Sequence, residues 1–202
     1  MISKVSSEYQ AGVYNSDLVS VRGTFFPELI PKNIVAKYTS PFAQFLRKGF
    51  VDDEGYLSSY YATGYAMIYN VTNVNLSEVP KSFNDLSAER WKGRLVMDRE
   101  EYDWLGGMID LLGEKKAVAL FARLINEQKL IFKRGHTLMT QLIAAGEHDL
   151  LVDGYVPNAV QFKAKRAPIE FVLTDPAVLK PPQSIGITSS VQIGRASCRE
   201  RV

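Results

Sequence analysis

Cysteine is all but missing from this chain of 202 residues: Cys198 is the only one. It sits in a closing stretch, Gln192 to Val202, that has no apolar period and three arginines, and that reads as translated sequencing adapter joined to a shortened reading frame. Set aside as fusion scars are, that stretch leaves a body without any thiol. Disulfides, thiolate metal sites and a cysteine nucleophile are then excluded together. The lack of cysteine is compatible with an oxidising compartment but does not demand one. Net charge is also small. The chain carries 24 basic and 22 acidic residues; Arg195, Arg199, Arg201 and Glu200 belong to the closing stretch, so the body holds 21 of each sign. A neutral body lacks the clustered basic face that nucleic acid requires, and no nucleic-acid partner is expected.

There is no run of about 18 or more apolar residues to cross a membrane as a helix. The N-terminus lacks the basic, apolar and small-residue zones of a secretion signal. Taken alone, these absences suggest a cytoplasmic protein. Catalytic signatures are missing as well, with no glycine-rich phosphate loop and no Gly-x-Ser-x-Gly elbow. The two histidines, His136 and His148, lie about three helical turns apart and on either side of the helix-stopping Gly146, so they form no metal pair. Asp98, Glu100, Glu101 and Asp103 crowd together, but such a cluster is more often a solvated helix start than an acid–base pair. No enzyme activity, cofactor or metal is expected.

What is present is a globular composition, 46% hydrophobic, with room for one domain or two small ones. The spacing predicts a helix over Ser3 to Ala11, a strand over Asp17 to Val21, and a proline-broken segment from Phe25 to Phe50 with helical turns at Pro27 to Ile30 and Pro41 to Lys48. Tyr56 to Tyr61 and Gly64 to Tyr69 read as strands. From Pro80 onward strands and helices alternate. Strands fall at Arg94 to Asp98, Leu130 to Phe132, Asp149 to Val152 and Ile169 to Leu173. Helices fall at Asp85 to Arg90, Asp103 to Leu112, Glu114 to Asn126 with Leu120, Leu124 and Ile125 on one face, His136 to Ala145, and Pro157 to Lys165. The alternation predicts an α/β protein with a largely parallel sheet.

Several phrases then stand out in order: Ser7-Glu8-Tyr9-Gln10-Ala11-Gly12 with Asp17-Leu18-Val19; Tyr65-Ala66-Met67-Ile68-Tyr69-Asn70; Pro80 to Leu86 with Trp91-Lys92-Gly93-Arg94-Leu95; and Ala145-Gly146-Glu147. Together they resemble the type 2 periplasmic solute-binding proteins of ABC importers, in the iron and thiamine group, over roughly Ser3 to Ser190. The resemblance implies two α/β lobes with a ligand held between them and closed by a hinge motion. It places pieces of an incomplete lobe one at residues 1–66 and 173–190, lobe two at 67–172, and a non-native tail at 191–202. It implies a periplasmic or extracellular location, with the secretion signal and the opening strand-helix unit missing from a fragment shortened at both ends. It also implies a monomer when intact, a small-molecule ligand and an ABC permease as partners. The function so implied is capture of a small anionic or zwitterionic solute for import. A ferric-iron binder of the same family and a ligand-sensing domain of a regulator are the alternatives.

In open α/β sheets ligands sit beyond the carboxyl ends of strands, beside helix starts. Four loops qualify. Asp103 reads as an N-cap, with Trp104 and Tyr102 offering flat faces to an organic ligand or simply covering the lobe. Arg134-Gly135-His136-Thr137 opens a helix; Gly135 permits close approach, Thr137 can cap, and Arg134 beside the free N–H groups makes an anion site. The alternative is a capped helix with a solvated Arg and an incidental His. Tyr155, after the strand ending near Val152, either faces the cleft or is buried with its hydroxyl bonded. Arg22, ending the first strand, is a weaker candidate of the same kind. Tyr60-Tyr61 invites an iron reading through phenolate donors, but in the iron-binding relatives the pair follows the later strand, where this chain has Tyr155 alone. Tyr60 and Tyr61 read mainly as packing.

Overall fold

In the computed structural model, which describes residues 2–191, the chain passes through one unit, builds a second, and returns to the first. The closing stretch Gln192–Val202 and its reading as adapter sequence lie outside the described residues. The first unit holds the described residues up to Ala62 and those from Pro181 on; the second is Thr63–Lys180.

Unit one begins with α1 (Ile2–Gln10), β1 (Leu18–Arg22), the short α2 (Phe26–Leu29) and β2 (Ser58–Tyr61). Between α2 and β2 the prolines keep the backbone irregular; the helix-like turn expected over Pro41 to Lys48 shrinks to Ala43–Phe45. Val19, Val21, Phe26, Leu29, Ile34 and Val35 form its buried core.

Unit two comprises β3 (Tyr65–Asn70), β4 (Leu95–Asp98), α3 (Tyr102–Leu112), α4 (Glu114–Asn126), β5 (Ile131–Lys133), α5 (His136–Ala145), β6 (Leu150–Tyr155), α6 (Val156–Ala164) and β7 (Ile169–Val172). The strands form a five-stranded sheet in the order β5-β4-β6-β3-β7. β4 pairs in parallel with β5 and β6, while β3 pairs antiparallel with β6 and β7. The sheet is therefore mixed rather than largely parallel in its ladders. The helix-linked strands share one direction; β3, with no crossover helix before it, runs against them. Period-2 alternation builds the two layers. Leu95, Met97, Leu150 and Val152 join Tyr65, Met67 and Tyr69 on the face covered by α3 and α4. Val96, Leu151 and Ile68 meet Met139 and Ile143 of α5 and Ala159 of α6 on the other. On α4 the buried stripe is Ala117, Leu120 and Leu124; Ile125, expected on it, is 38% exposed.

The chain then leaves unit two for β8 (Gln183–Ile187), which lies between β1 and β2, antiparallel to both. Residues 173–180 were expected with lobe one, yet Tyr65 N–H donates to Val178 O at 3.0 Å, Lys180 N–H donates to Thr63 O at 2.9 Å, and Val178 is buried in the unit-two core. Contacts thus divide the chain at Ala62/Thr63 and Lys180/Pro181 rather than after Ala66 and Val172.

The phrases that carry the family resemblance are mostly framework. Asn70 is buried and donates to Ile143 O at 2.7 Å while its own oxygen accepts from the Thr72 N–H at 2.8 Å, tying the end of β3 to the last turn of α5. Phe83, Leu86 and Trp91 fill the core. Gly146 closes α5 at φ 78°, ψ 13°, the left-handed geometry that glycine takes without strain.

Candidate functional site

β4, β5 and β6 each end where a helix begins, so the starts of α3, α5 and α6 are gathered at one edge of the unit-two sheet. Glu101, Gly135 and Tyr155 are the N-cap residues, and none caps its own helix with a side-chain bond. Gly135, at φ 96°, gives α5 the sharp entry that a side chain would resist.

The segment Asp98-Arg99-Glu100-Glu101, from the last residue of β4 to the N-cap of α3, supplies acceptors to this edge. Asp98 Oδ2 accepts the Gly135 N–H at 2.8 Å and Oδ1 accepts the Glu100 N–H at 2.9 Å. The anion expected at the start of α5 is therefore the protein's own Asp98. The Asp98 N–H in turn donates to the Asp153 carboxylate at 3.1 Å. Asp153 is fully buried, and that burial pushes its carboxyl above the usual range against the opposing pull of His136 and the Asp98 N–H. His136 stands among the carboxylates, with Nδ1 3.4 Å from Asp98 Oδ2 and Nε2 3.4 Å from Asp153 Oδ2 and 3.6 Å from Glu101 Oε2. Its ring stacks on Tyr155 at 3.8 Å and 13°.

Glu101 is the hub. The Tyr65 hydroxyl donates to Oε1 at 2.8 Å, Lys180 Nζ donates to Oε2 at 3.0 Å, and the Tyr155 hydroxyl also donates to Oε2. Lys180 Nζ donates to the Tyr155 oxygen and lies 4.3 Å from the centre of that ring. Burial alone would raise the Glu101 carboxyl, but the bonds from Tyr155, Tyr65 and Lys180 outweigh it and hold the group below its ordinary value. Tyr65 moves the other way: burial first, then the neighbouring Glu101, push its phenol up, so it remains a donor. Each charge-assisted bond is worth about 1.5–3 kcal/mol, which offsets much of the cost of taking Glu101 and Lys180 out of water.

The sequence candidates separate on this frame. His136 and Tyr155 are brought together in the network. Asp103 lies in the first turn of α3, inside the helix rather than at its cap, where its charge adds to the field on Tyr65. Thr137 likewise lies within the first turn of α5, exposed, and Gly135 takes the cap position. Trp104 is 1% exposed and packs edge-on against Phe83 at 5.7 Å, so it belongs to the core and shows no face to a ligand. Two residues along α3, little more than half a turn, carry it to the inner face while Tyr102 stays 75% exposed. Arg134 points outward, with Nε 3.2 Å from Glu100 Oε2. Arg22 ends β1 in unit one, its guanidinium 5.0 Å above the Phe25 ring. Tyr60 and Tyr61 are about half exposed and packed edge to face at 5.2 Å, also in unit one. Sequence reasoning missed Tyr65, Glu101 and Lys180 as site residues. Among the described residues no group of three or more His, Cys, Asp or Glu is disposed to hold a metal ion, and no helix is long and apolar enough to cross a membrane.

Known folds share this frame. The chain is similar to iron-bound HitA from Pseudomonas aeruginosa (TM-score 0.79, 15% identity, covering 95% of this chain and 64% of that one). It is similar to a ferric binding protein from Campylobacter jejuni (0.77, 16%, 95% and 65%). It is also similar to the substrate binding protein of an ABC transporter from Agrobacterium tumefaciens (0.78, 9%, 94% and 59%). The chain thus spans less than two thirds of the length of each of these proteins, and the likeness is one of fold. No curated protein matches its sequence. The model of the bacterial extracellular solute-binding proteins matches residues 15–150, more than half of the chain, and the chain belongs to that family.

Proposed function

We propose that the protein captures a small anionic or zwitterionic organic solute outside the cytoplasm and delivers it to an ABC permease, and that it performs no catalysis. Unit two contributes Lys180, Tyr155 and Tyr65 as solute contacts, the donors that converge on Glu101, with His136 stacked on Tyr155. The observation that supports this most directly is the Lys180 ammonium, 17% exposed, at the rim of a buried donor network on the side of the sheet where helix starts gather. Arg134, paired with Glu100 at the surface, is less suited to anchor a solute than the sequence suggested.

A ferric reading has support from the relatives: HitA is iron-bound and the Campylobacter protein is a ferric binder, and Tyr155 ends β6. Against it, the Tyr155 hydroxyl donates to Glu101 with an ammonium beside it, so a metal phenolate there would lose the bond to Glu101 and set the metal beside a positive charge.

Calorimetric titration with a panel of carboxylates, phosphonates and amino acids tests the proposal, and Lys180→Ala should weaken the best hit by about tenfold or more, the equivalent of one charge-assisted bond. A panel without hits, joined to tight Fe(III) uptake with a visible tyrosinate band, would transfer the case to iron.

A further inference from the structure

The donors around Glu101 make a complete receptor for a carboxylate, and the carboxylate in it is the protein's own. Two phenol hydroxyls and one ammonium, from β3, the end of β6 and the segment after β7, converge on a side chain that is 5% exposed. The start of α5 repeats the pattern with Asp98 as its internal anion. The two acids flank one short connection, Asp98 ending β4 and Glu101 preceding α3. We infer that Tyr65, Tyr155 and Lys180 form an oxyanion cradle in which Glu101 stands in for the carboxylate of the solute, and from which the solute displaces it. The inference rests on the solute-binding reading and sharpens it: the solute presents a carboxylate, and Glu101 competes with it.

The chemistry that fits Glu101 fits a solute acid equally. Phenols held as donors offer hydrogen bonds to an oxyanion and not to a cation, and the ammonium adds the charge that selects a carboxylate over a neutral amide. Glu101 is tethered, so it competes at an effective concentration on the order of millimolar or more. A solute carboxylate in the cradle inherits the bonds from Tyr65, Tyr155 and Lys180, and the displaced side chain, sited at the N-cap of α3, has to turn out of the network. Glu101 would thus tune affinity downward. A residue that merely positioned Tyr155 and Lys180 would do the opposite, because its loss would disorder the contacts.

The sign of one substitution separates these roles. Glu101→Ala in the full chain leaves the cradle empty, and acetate should then bind it saturably and raise its melting temperature, with chloride at equal ionic strength as the control. Adding Tyr155→Phe should remove most of that rise. Glu101→Gln, the milder change should Glu101→Ala not fold, should bind acetate about tenfold more tightly than the unsubstituted chain, since a neutral amide no longer competes for the ammonium. A folded variant of either kind with no acetate-specific gain overturns the inference. Because acetate probes the cradle directly, this result is independent of the solute panel: a gain with no panel hit keeps the cradle and rejects the solute reading, and hits without a gain do the reverse.

Discussion

At the scale of single residues, the site sets two buried carboxylates against each other. The Asp153 carboxyl is raised by burial, so the folded protein holds that proton more tightly than the unfolded chain does. Its contribution to stability is present at acid pH and is lost as pH rises from about 4, the unfolded value, through the folded one. The Glu101 carboxyl is lowered by its bonded partners despite its burial. Its contribution is present above its unfolded value of about 4.3 and is lost as pH falls toward the folded value. Asp153→Asn should therefore melt progressively higher relative to the unsubstituted chain as pH is raised from about 4 to 7. Melting curves at several pH values measure this, and a difference that does not change with pH would contradict the account. His136 lies between the two acids and touches both, so the test needs the imidazole intact.

At the scale of elements, two glycines of unit two carry separate burdens. A Cβ on Gly154 would stand 2.5 Å from Ile68 Cδ1 and 3.0 Å from Ala66 O. The backbone oxygen cannot yield, so Gly154→Ala should cost about 1–3 kcal/mol through overpacking and displace the adjoining Tyr155. Gly146 meets only ordinary contacts at 3.6 Å or more, but its φ of 78° makes Gly146→Ala cost about 1–2 kcal/mol, and Gly146→Asn less. Urea midpoints at constant slope would check both; equal costs for Ala and Asn at position 146 would refute the conformational argument. α4 and α5 were legible in the sequence residue for residue, because a helical period bounded by glycine is a local signal. β8 was not, since Gln183, Ser184 and Gly186 leave it little strand character and its place is set by partners distant in the chain. The site divides in the same way. His136 and Tyr155 stand at helix starts that can be read locally. Tyr65 lies inside an apolar strand, Glu101 inside an acidic run and Lys180 beside prolines, and only the fold unites them. Trp104 stayed open between ligand and core because an aromatic in the first turn of a helix looks the same in sequence whether it faces inward or outward.

At the scale of the whole molecule, unit one carries an apolar face. Leu18, Tyr38, Phe42, Leu46 and Tyr60 line a cleft of about 370 Å³ together with Ile185 and Ile187 of β8, and Phe42 and Phe45 are 70% and 77% exposed. Open apolar surface of this kind drives association. The chain should therefore self-associate, and Phe42→Ser with Phe45→Ser should reduce that association; light scattering showing a monodisperse unsubstituted chain would count against it. β8 has a temporal consequence too. It is the middle strand of the unit-one sheet, so β1 and β2 have no strand between them to join them into a sheet until residues 183–187 exist. Unit two, by contrast, is one continuous stretch whose first and last residues are paired through Gly64 and Leu179. On the ribosome, where chains emerge at about 5–20 residues per second and N-terminal parts usually fold first, the order is inverted. The unit begun first must wait until residues 183–187 have emerged, while the one inserted into it can already be complete.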